Sequence, residues 1–161
     1  MQISDLEVRP LFSCDSEQVS AMDEASGFYL EQWLDDEDFG WGVLHNNKLI
    51  GYCSVGGADD VDSEIFDDPD YSCDALLLSD VYVDPAYRGQ GVATFMLSQV
   101  LNRVEPNDVT IYCCPMYSDL ERLYNRVGFI SMDSLCHAMK RTPNEAHSTS
   151  QSHSGSNWYP V

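Results

Sequence analysis

The segment "VYVDPAYRGQGVATFML", residues 81–97, connects an apolar run to an amphipathic one. The run that ends in it, "ALLLSDVYV" (residues 75–83), is almost continuously apolar, which is typical of a strand buried on both faces. Residues 91–104 repeat apolar side chains at helical spacing, so a helix is predicted there. The segment is therefore predicted to be a turn between a central strand and a helix.

The composition of this turn is typical of an anion-binding site. Gly89 and Gly91 carry no side chains, so a bulky anion can approach the main chain. The start of a helix also offers unpaired N–H groups and a partial positive charge, and Arg88 adds a full charge with several donors. We expect a diphosphate to bind here, although a glycine-lined turn without a ligand would have the same composition. The sequence contains neither a P-loop nor a dinucleotide-binding fingerprint.

The rest of the chain has the pattern of a mixed α/β domain. Apolar periodicity and turn residues divide it into strands and helices. In chain order, the predicted elements are a strand in 3–12, one or two helices in 16–34, a hairpin in 39–57 that turns at Asn46 and Asn47, a solvated acidic loop in 58–74, the strand and helix above, a strand in 108–114, a helix that starts with a capping box at Ser118 and Glu121, and one or two closing strands in 129–141.

Two motifs resemble those of the GNAT superfamily of N-acetyltransferases. Arg88, Gly91 and Ala93 occupy the positions of its motif A signature, Gln/Arg-x-x-Gly-x-Gly/Ala, and "LYNRVGF" at 123–129 resembles its Leu-Tyr-x-x-x-Gly-Phe. The resemblance covers residues 3–141. It implies an α/β (α+β) fold with a mixed, mostly antiparallel central sheet that is splayed open and flanked by about four helices.

The resemblance also implies acetyl-CoA as co-substrate, bound where the strands ending at Val83 and Cys114 diverge. Main-chain amides of the turn would hold the pyrophosphate, and the strand end would pair with the pantetheine arm. Many members have Asn where this chain has Tyr117, so the sequence departs from the family pattern there. The implied cofactor-binding residues are Val81, Tyr82, Val83, Arg88, Gly89, Gln90, Gly91, Val92, Ala93, Thr94 and Tyr117.

Tyr124 and Asp80 are the candidate catalytic residues. The matching tyrosine of the superfamily implies that Tyr124 protonates the departing CoA thiolate, whereas helical periodicity alone favours a core tyrosine. Asp80 is the acid inside the apolar strand. It could be the general base, or it could cap a bulge or pair with a neighbour, and both interpretations are open. Main-chain N–H groups near 81–83 could stabilise the oxyanion. Cys113 and Cys114 should point to opposite faces of a strand, so direct transfer is favoured over an acetyl-cysteine intermediate.

The charge of the chain is concentrated in its first part. The net charge is −19, and residues 1–87 hold 21 acids against two bases, whereas residues 88–161 are balanced at six of each. This distribution favours a cationic amine acceptor, although adaptation of the surface for solubility would produce it too. Nucleic acid is disfavoured as a partner, because its phosphates need basic residues.

The remaining composition indicates a cytoplasmic protein. The sequence has no apolar run long enough to span a membrane and no start typical of a secretory signal, and its six cysteines have no zinc-ligand spacing. Reduced thiols and no metal are therefore expected. A flexible tail is predicted for residues 142–161, after a domain of residues 1–141.

The sequence thus predicts an acetyl-CoA-dependent N-acetyltransferase that acts on a primary amine, supplied by a small molecule or a peptide, in a ternary complex. The alternative from another class is a non-catalytic acyl-CoA-binding regulatory module. A homodimer is compatible with the sequence, which indicates no interface.

Overall fold

A computed structural model describes residues 2–34, 39–58, 65, 67–104, 109–115, 118–132 and 137–143, and the structural statements below concern these residues. They form seven strands in one sheet, three α-helices and four short 3₁₀ helices. The strands are β1 (Leu6–Pro10), β2 (Gly40–His45), β3 (Lys48–Gly57), β4 (Leu76–Val83), β5 (Ile111–Cys113), β6 (Ile130–Ser131) and β7 (Met139–Arg141). The helices are α1 (Ser16–Ser26), α2 (Val92–Val104) and α3 (Ser118–Arg126), and the 3₁₀ helices are Ile3–Asp5, Ser13–Asp15, Leu30–Trp33 and Pro85–Tyr87.

The sheet has the order β1-β2-β3-β4-β5-β7-β6, and its strand pairs are antiparallel except for β4 with β5. The predicted mixed, mostly antiparallel α/β fold is therefore confirmed. The described residues contain three α-helices where about four were expected. Part of the difference lies in residues 16–34, where Gly27 at φ 79° ends α1 and a 3₁₀ helix follows.

Helices cover the sheet on both faces. On one face, α2 and α3 bury a core that includes Met96, Leu97 and Tyr124 against the strands. On the other face, α1 and the 3₁₀ helix Leu30–Trp33 bury a second cluster around Val19 and Tyr52. The apolar spacing of residues in α1, α2 and α3 predicted amphipathic helices. The packing of these helices on the sheet explains that spacing.

The strands β4 and β5 diverge along their length. Among the described residues they pair only at Leu76 with Ile111 and at Leu77 with Tyr112. The rest of β4 then runs on to Val83 alongside β3. This separation is the splayed sheet that the sequence predicted, and it leaves a cleft beside the second half of β4.

Three further observations concern membrane spans, cysteines and metal ligands among the described residues. None of the described helices is both long and apolar enough to cross a membrane. The five described cysteines are free thiols, and Cys136 lies outside the described residues. In the described part of the chain, no three His, Cys, Asp or Glu side chains are arranged to hold a metal ion.

Candidate functional site

The turn after β4 is shaped by local interactions. Pro85 begins a 3₁₀ turn whose N-cap, Asp84, accepts a hydrogen bond from the Ala86 N–H at 2.9 Å. Gly89 and Gly91 then take φ angles of 73° and 82°, which side chains other than glycine rarely adopt. The chain can therefore fold back and start α2 at Val92, with the first N–H groups of the helix at the end of the cleft.

A cavity of about 230 Å³ lies between this turn and α3. It contains most of the predicted cofactor-binding residues, while Gln90 instead donates from Nε2 to the Ala86 carbonyl at 3.2 Å. Val81 packs against the core, and Tyr82 lines a different cavity between α1 and the strands, of about 490 Å³. Tyr117 lies outside the described residues. The lining residues are Val83, Tyr87, Arg88, Gly89, Gly91, Val92, Ala93, Thr94, Leu123 and Arg126.

Arg88 joins the turn to the end of β4. Its Nε donates to the Val83 carbonyl at 2.8 Å, and its guanidinium lies 5.3 Å from the centre of the Tyr82 ring. One donor of the guanidinium is therefore used within the protein. The terminal nitrogens are the donors that would contact a phosphate.

Arg126 is a residue that the sequence analysis missed. It lies in the last turn of α3 and lines the cavity opposite Gly89 and Gly91, so that two guanidinium groups border the same space. A helical pattern contained the signal, because Arg126 follows Leu123 by three residues and the two share one side of the helix. The charge distribution of the cavity is therefore more favourable to an anion than the turn alone indicated.

Asp80 lies at a β-bulge in β4. Tyr52 pairs with Tyr82 and Ser54 pairs with Ser79, so Asp80 and Val81 together oppose a single residue of β3. Asp80 has a φ of 51°, in the left-handed region that favours glycine. Its Oδ2 accepts a hydrogen bond from the Ser54 hydroxyl at 2.7 Å. The structure therefore shows the bulge and the paired neighbour that the sequence allowed, and the role of general base stays a prediction.

Tyr124 is buried on α3, with 5% of its surface exposed, and its ring meets that of Phe129 edge-on at 5.7 Å. Gly128, at φ 92°, ends the helix and lets Phe129 return to the ring, which explains the "LYNRVGF" pattern. Burial raises the pKa of Tyr124, and the nearby Cys113, Cys53, Cys114 and Asp80 add to that effect. The phenol is therefore protonated at neutral pH.

Cys113, the last residue of β5, and Cys114, which follows it, differ in environment. Cys113 is buried and Cys114 is exposed. Burial raises the pKa of the Cys113 thiol, so the thiolate that a nucleophile needs is not formed there at neutral pH.

A third cavity, of about 340 Å³, lies between α1 and the 3₁₀ helix Leu30–Trp33, on the other face of the sheet. The Tyr52 hydroxyl donates to Asp23 Oδ1 at 2.6 Å and lies 2.7 Å from the Ser26 hydroxyl, which fixes one wall. Burial, followed by the Asp23 hydrogen bond, raises the pKa of Tyr52, and the charge of Asp80 contributes. The lining residues are Ser20, Asp23, Glu24, Gly27, Phe28, Tyr29, Glu31 and Gln32.

The large aromatic side chains away from the cofactor cavity differ in exposure. Trp41 is buried, and the Arg103 guanidinium lies 5.5 Å from the centre of its ring, so Trp41 is a core residue. Trp33 is half exposed, and its ring centre lies 5.9 Å from that of Phe39. Tyr29 is 70% exposed and lines the cavity between α1 and the 3₁₀ helix Leu30–Trp33.

Comparison with solved structures places this architecture among N-acetyltransferases of different specificity. The ribosomal-protein-S18-alanine N-acetyltransferase from Escherichia coli superposes with a TM-score of 0.64 at 16% identity, over 96% of this chain and 99% of that one. The N-acetyltransferase YhbS from Escherichia coli, solved with CoA, gives 0.64 at 18% identity, over 86% and 82%. AtaT, solved with acetyl-methionyl-tRNAfMet, gives 0.67 at 15% identity, over 88% and 97%. Identities this low establish the fold alone.

The sequence itself identifies the family. No curated protein sequence matches the chain significantly. The profile of the Acetyltransferase (GNAT) family, however, matches residues 2–129, which include the turn after β4, Asp80 and Tyr124. The match spans most of the chain and confirms the predicted fold and the prediction of an acetyltransferase. The chain therefore belongs to the Acetyltransferase (GNAT) family, as an acetyltransferase that uses acetyl-CoA as its acetyl donor.

Proposed function

We propose that this acetyltransferase transfers the acetyl group of acetyl-CoA directly to a cationic primary amine, with Asp80 as general base and Tyr124 as general acid. The observation that carries the proposal is that these two residues are close enough to interact electrostatically. Asp80 comes from the bulge of β4 and Tyr124 from α3, and the charge of Asp80 is among the causes, after burial, that raise the pKa of Tyr124. An acid and a base in one site are what amide formation from a thioester requires.

The cofactor would lie along the second half of β4. Main-chain N–H groups after Gly91, together with the terminal nitrogens of Arg88 and the guanidinium of Arg126, would bind its phosphates. The free edge of β4 at Val81 and Val83 would pair with the pantetheine arm, because β5 has diverged from it there. This arrangement would bring the thioester to the level of Asp80.

The protons balance as follows. An alkylammonium group gives one proton to Asp80, and the neutral amine attacks the thioester carbonyl, forming the C–N bond. The C–S bond then breaks, and the thiolate takes a proton from Tyr124. The nitrogen loses its second proton as the amide forms, which restores Tyr124, while the proton on Asp80 goes to solvent. The products are one amide, one free CoA thiol and one released proton.

The burial of Tyr124 is compatible with this role. A phenol with a raised pKa is a weaker acid, but a thiolate that forms in the same buried surroundings is a stronger base than in water. The thiol of Cys113 gives a measure of those surroundings, because burial raises its pKa as well. The pKa of the Tyr124 phenol and the pKa of the CoA thiol are therefore both raised, so a proton can still pass from the phenol to the thiolate.

The acceptor is proposed to be cationic. The cavity on the far face of the sheet carries the carboxylates of Asp23, Glu24 and Glu31, beside the rings of Phe28 and Tyr29. Acidic side chains attract an ammonium group, and aromatic faces add a cation–π contribution. A small amine or a peptide with a free amino group fits this description, whereas the acidic surface disfavours nucleic acid.

The five free thiols are consistent with a reducing compartment such as the cytoplasm.

The test is thiol release from acetyl-CoA in the presence of a panel of polyamines, aminoglycosides and peptides, with the acetylated product identified by mass. Tyr124→Phe should reduce kcat by about 10² or more, because a general acid contributes on that order. Tyr112→Phe is the matched control, since Tyr112 is a buried tyrosine on the opposite face of the sheet, and it should keep full activity. Equal activity of Tyr124→Phe and the wild type would contradict the role of Tyr124, and acetylation of neutral acceptors alone would contradict the acceptor class.

A further inference from the structure

Ser54 is the most deeply buried of the polar side chains that the described core contains. It lies on β3 with none of its surface exposed, while Asp15 and Thr110 each retain 6%. A buried hydroxyl is retained at a cost unless it is hydrogen-bonded. Ser54 makes two such bonds at 2.7 Å, one with Asp80 Oδ2 and one with the Ser79 hydroxyl.

The direction of these bonds follows from counting hydrogens. An ionised carboxylate can only accept, so the single hydroxyl hydrogen of Ser54 is donated to Asp80. The bond between the two serines must then be donated by Ser79 and accepted by Ser54. The three side chains form a chain of hydrogen bonds that ends on the carboxylate, and bonds to a charged acceptor are the strong ones.

The backbone makes this contact important for orientation. Asp80 has a left-handed φ of 51° inside a bulge, where its side-chain direction is not fixed by the regular alternation of a strand. Ser54 belongs to the neighbouring strand, which is paired with β4 on both sides of the bulge. A hydroxyl on that rigid neighbour can therefore hold the carboxylate in one position.

We propose that Ser54 is a positioning residue for the general base: it binds Oδ2 of Asp80 and leaves Oδ1 to accept the proton of the acceptor amine. This inference rests on the proposed function of Asp80. Ser79 supports the same arrangement from one bond further away and has a smaller effect.

The experiment measures kcat and KM separately for the full chain with acetyl-CoA and the best amine of the panel. Ser54→Ala should lower kcat roughly tenfold, because the base is less well oriented, and should leave the KM for acetyl-CoA unchanged, because Ser54 does not line the cofactor cavity. In an Asp80→Asn background Ser54→Ala should cost little more, since the base that Ser54 positions is already gone. Ser79→Ala, the matched control, keeps the bond to Asp80 and should lower kcat by less than about threefold.

A second variant and a second readout keep the inference separate from folding. Ser54→Cys preserves the volume of the side chain but has only a weak S–H donor, so it should lower kcat in the same way as Ser54→Ala. Urea unfolding of each variant shows whether the loss of activity follows a loss of stability instead. Wild-type kcat in both Ser54 variants, or a full tenfold cost of Ser54→Ala in the Asp80→Asn background, overturns the role of Ser54 alone. Full activity of Asp80→Asn instead overturns the proposed base.

Discussion

Replacement of Arg9 by Gln is expected to destabilise the fold by about 2 kcal/mol. Two terminal nitrogens of Arg9 donate to the two carboxylate oxygens of Asp15 at 2.7 and 2.8 Å, which ties the end of β1 to the start of α1. The side chain of Asp15 is 8% exposed and that of Arg9 is 31% exposed. Loss of one partner costs about 3–5 kcal/mol in a fully buried pair and at most about 1 kcal/mol on the surface. A buried carboxylate with a partly exposed partner lies between these limits, and the Phe12 N–H still donates to it.

Urea unfolding at pH 7, followed by circular dichroism, measures this cost in the single variants Arg9→Gln and Asp15→Asn and in the double variant. The coupling energy of the cycle should be about 2 kcal/mol, since the two residues contact each other directly. The hydrogen bonds from Arg9 chiefly lower the pKa of Asp15, so the contribution is complete above the ordinary value of about 3.9 and is lost as the pH falls through the lower folded value. A coupling energy below about 0.5 kcal/mol at pH 7, or one that grows on acidification, would refute the reasoning.

Three other substitutions test separate parts of the structure. Tyr112→Phe should leave the free energy of unfolding unchanged or slightly raised, because the buried Tyr112 hydroxyl has no hydrogen-bond partner among the described residues. Tyr52→Phe should instead lower it by about 1–3 kcal/mol in the same urea experiment, because the Tyr52 hydroxyl donates to Asp23. Gly91→Ala should weaken CoA binding in calorimetry and lower stability by about 1–2 kcal/mol, since φ is 82° and the new Cβ would lie 3.3 Å from Ile3 Cδ1; full CoA affinity would contradict this. Arg126→Gln should weaken CoA binding by roughly tenfold and flatten its salt dependence, and an unchanged salt dependence would show that Arg126 does not face the phosphates.

The elements around the cleft could be predicted because their signals are local. The apolar run of β4, the glycines at 89 and 91 and the helical spacing of α2 lie next to one another in the sequence, and so do Tyr124, Gly128 and Phe129. Each signal depends on neighbours within a few residues, which is where propensity and periodicity act. These local signals were enough to predict the glycine-lined turn after β4 and the burial of Tyr124.

Contacts between distant residues could not be predicted in the same way. Ser54 meets Asp80 only because a bulge shifts the pairing of β3 with β4 by one residue, and such a shift changes which side chains face each other. Asp23 meets Tyr52 through the packing of α1 on the sheet, over 29 positions of sequence. The sequence contains no signal for that register or that packing angle, so these two contacts could be seen only in the structure.

The divergence of β4 from β5 makes this sheet incomplete without a ligand. Among the described residues β4 pairs with β5 only at its start, so the main chain of its second half could form hydrogen bonds with a bound chain on that side. A molecule that completes the ladder stabilises the native state by RT ln(1 + [L]/Kd), about 2.7 kcal/mol at a hundredfold excess over Kd. Resistance of this enzyme to thermal unfolding and proteolysis should therefore rise and fall with the concentration of the thioester that it consumes.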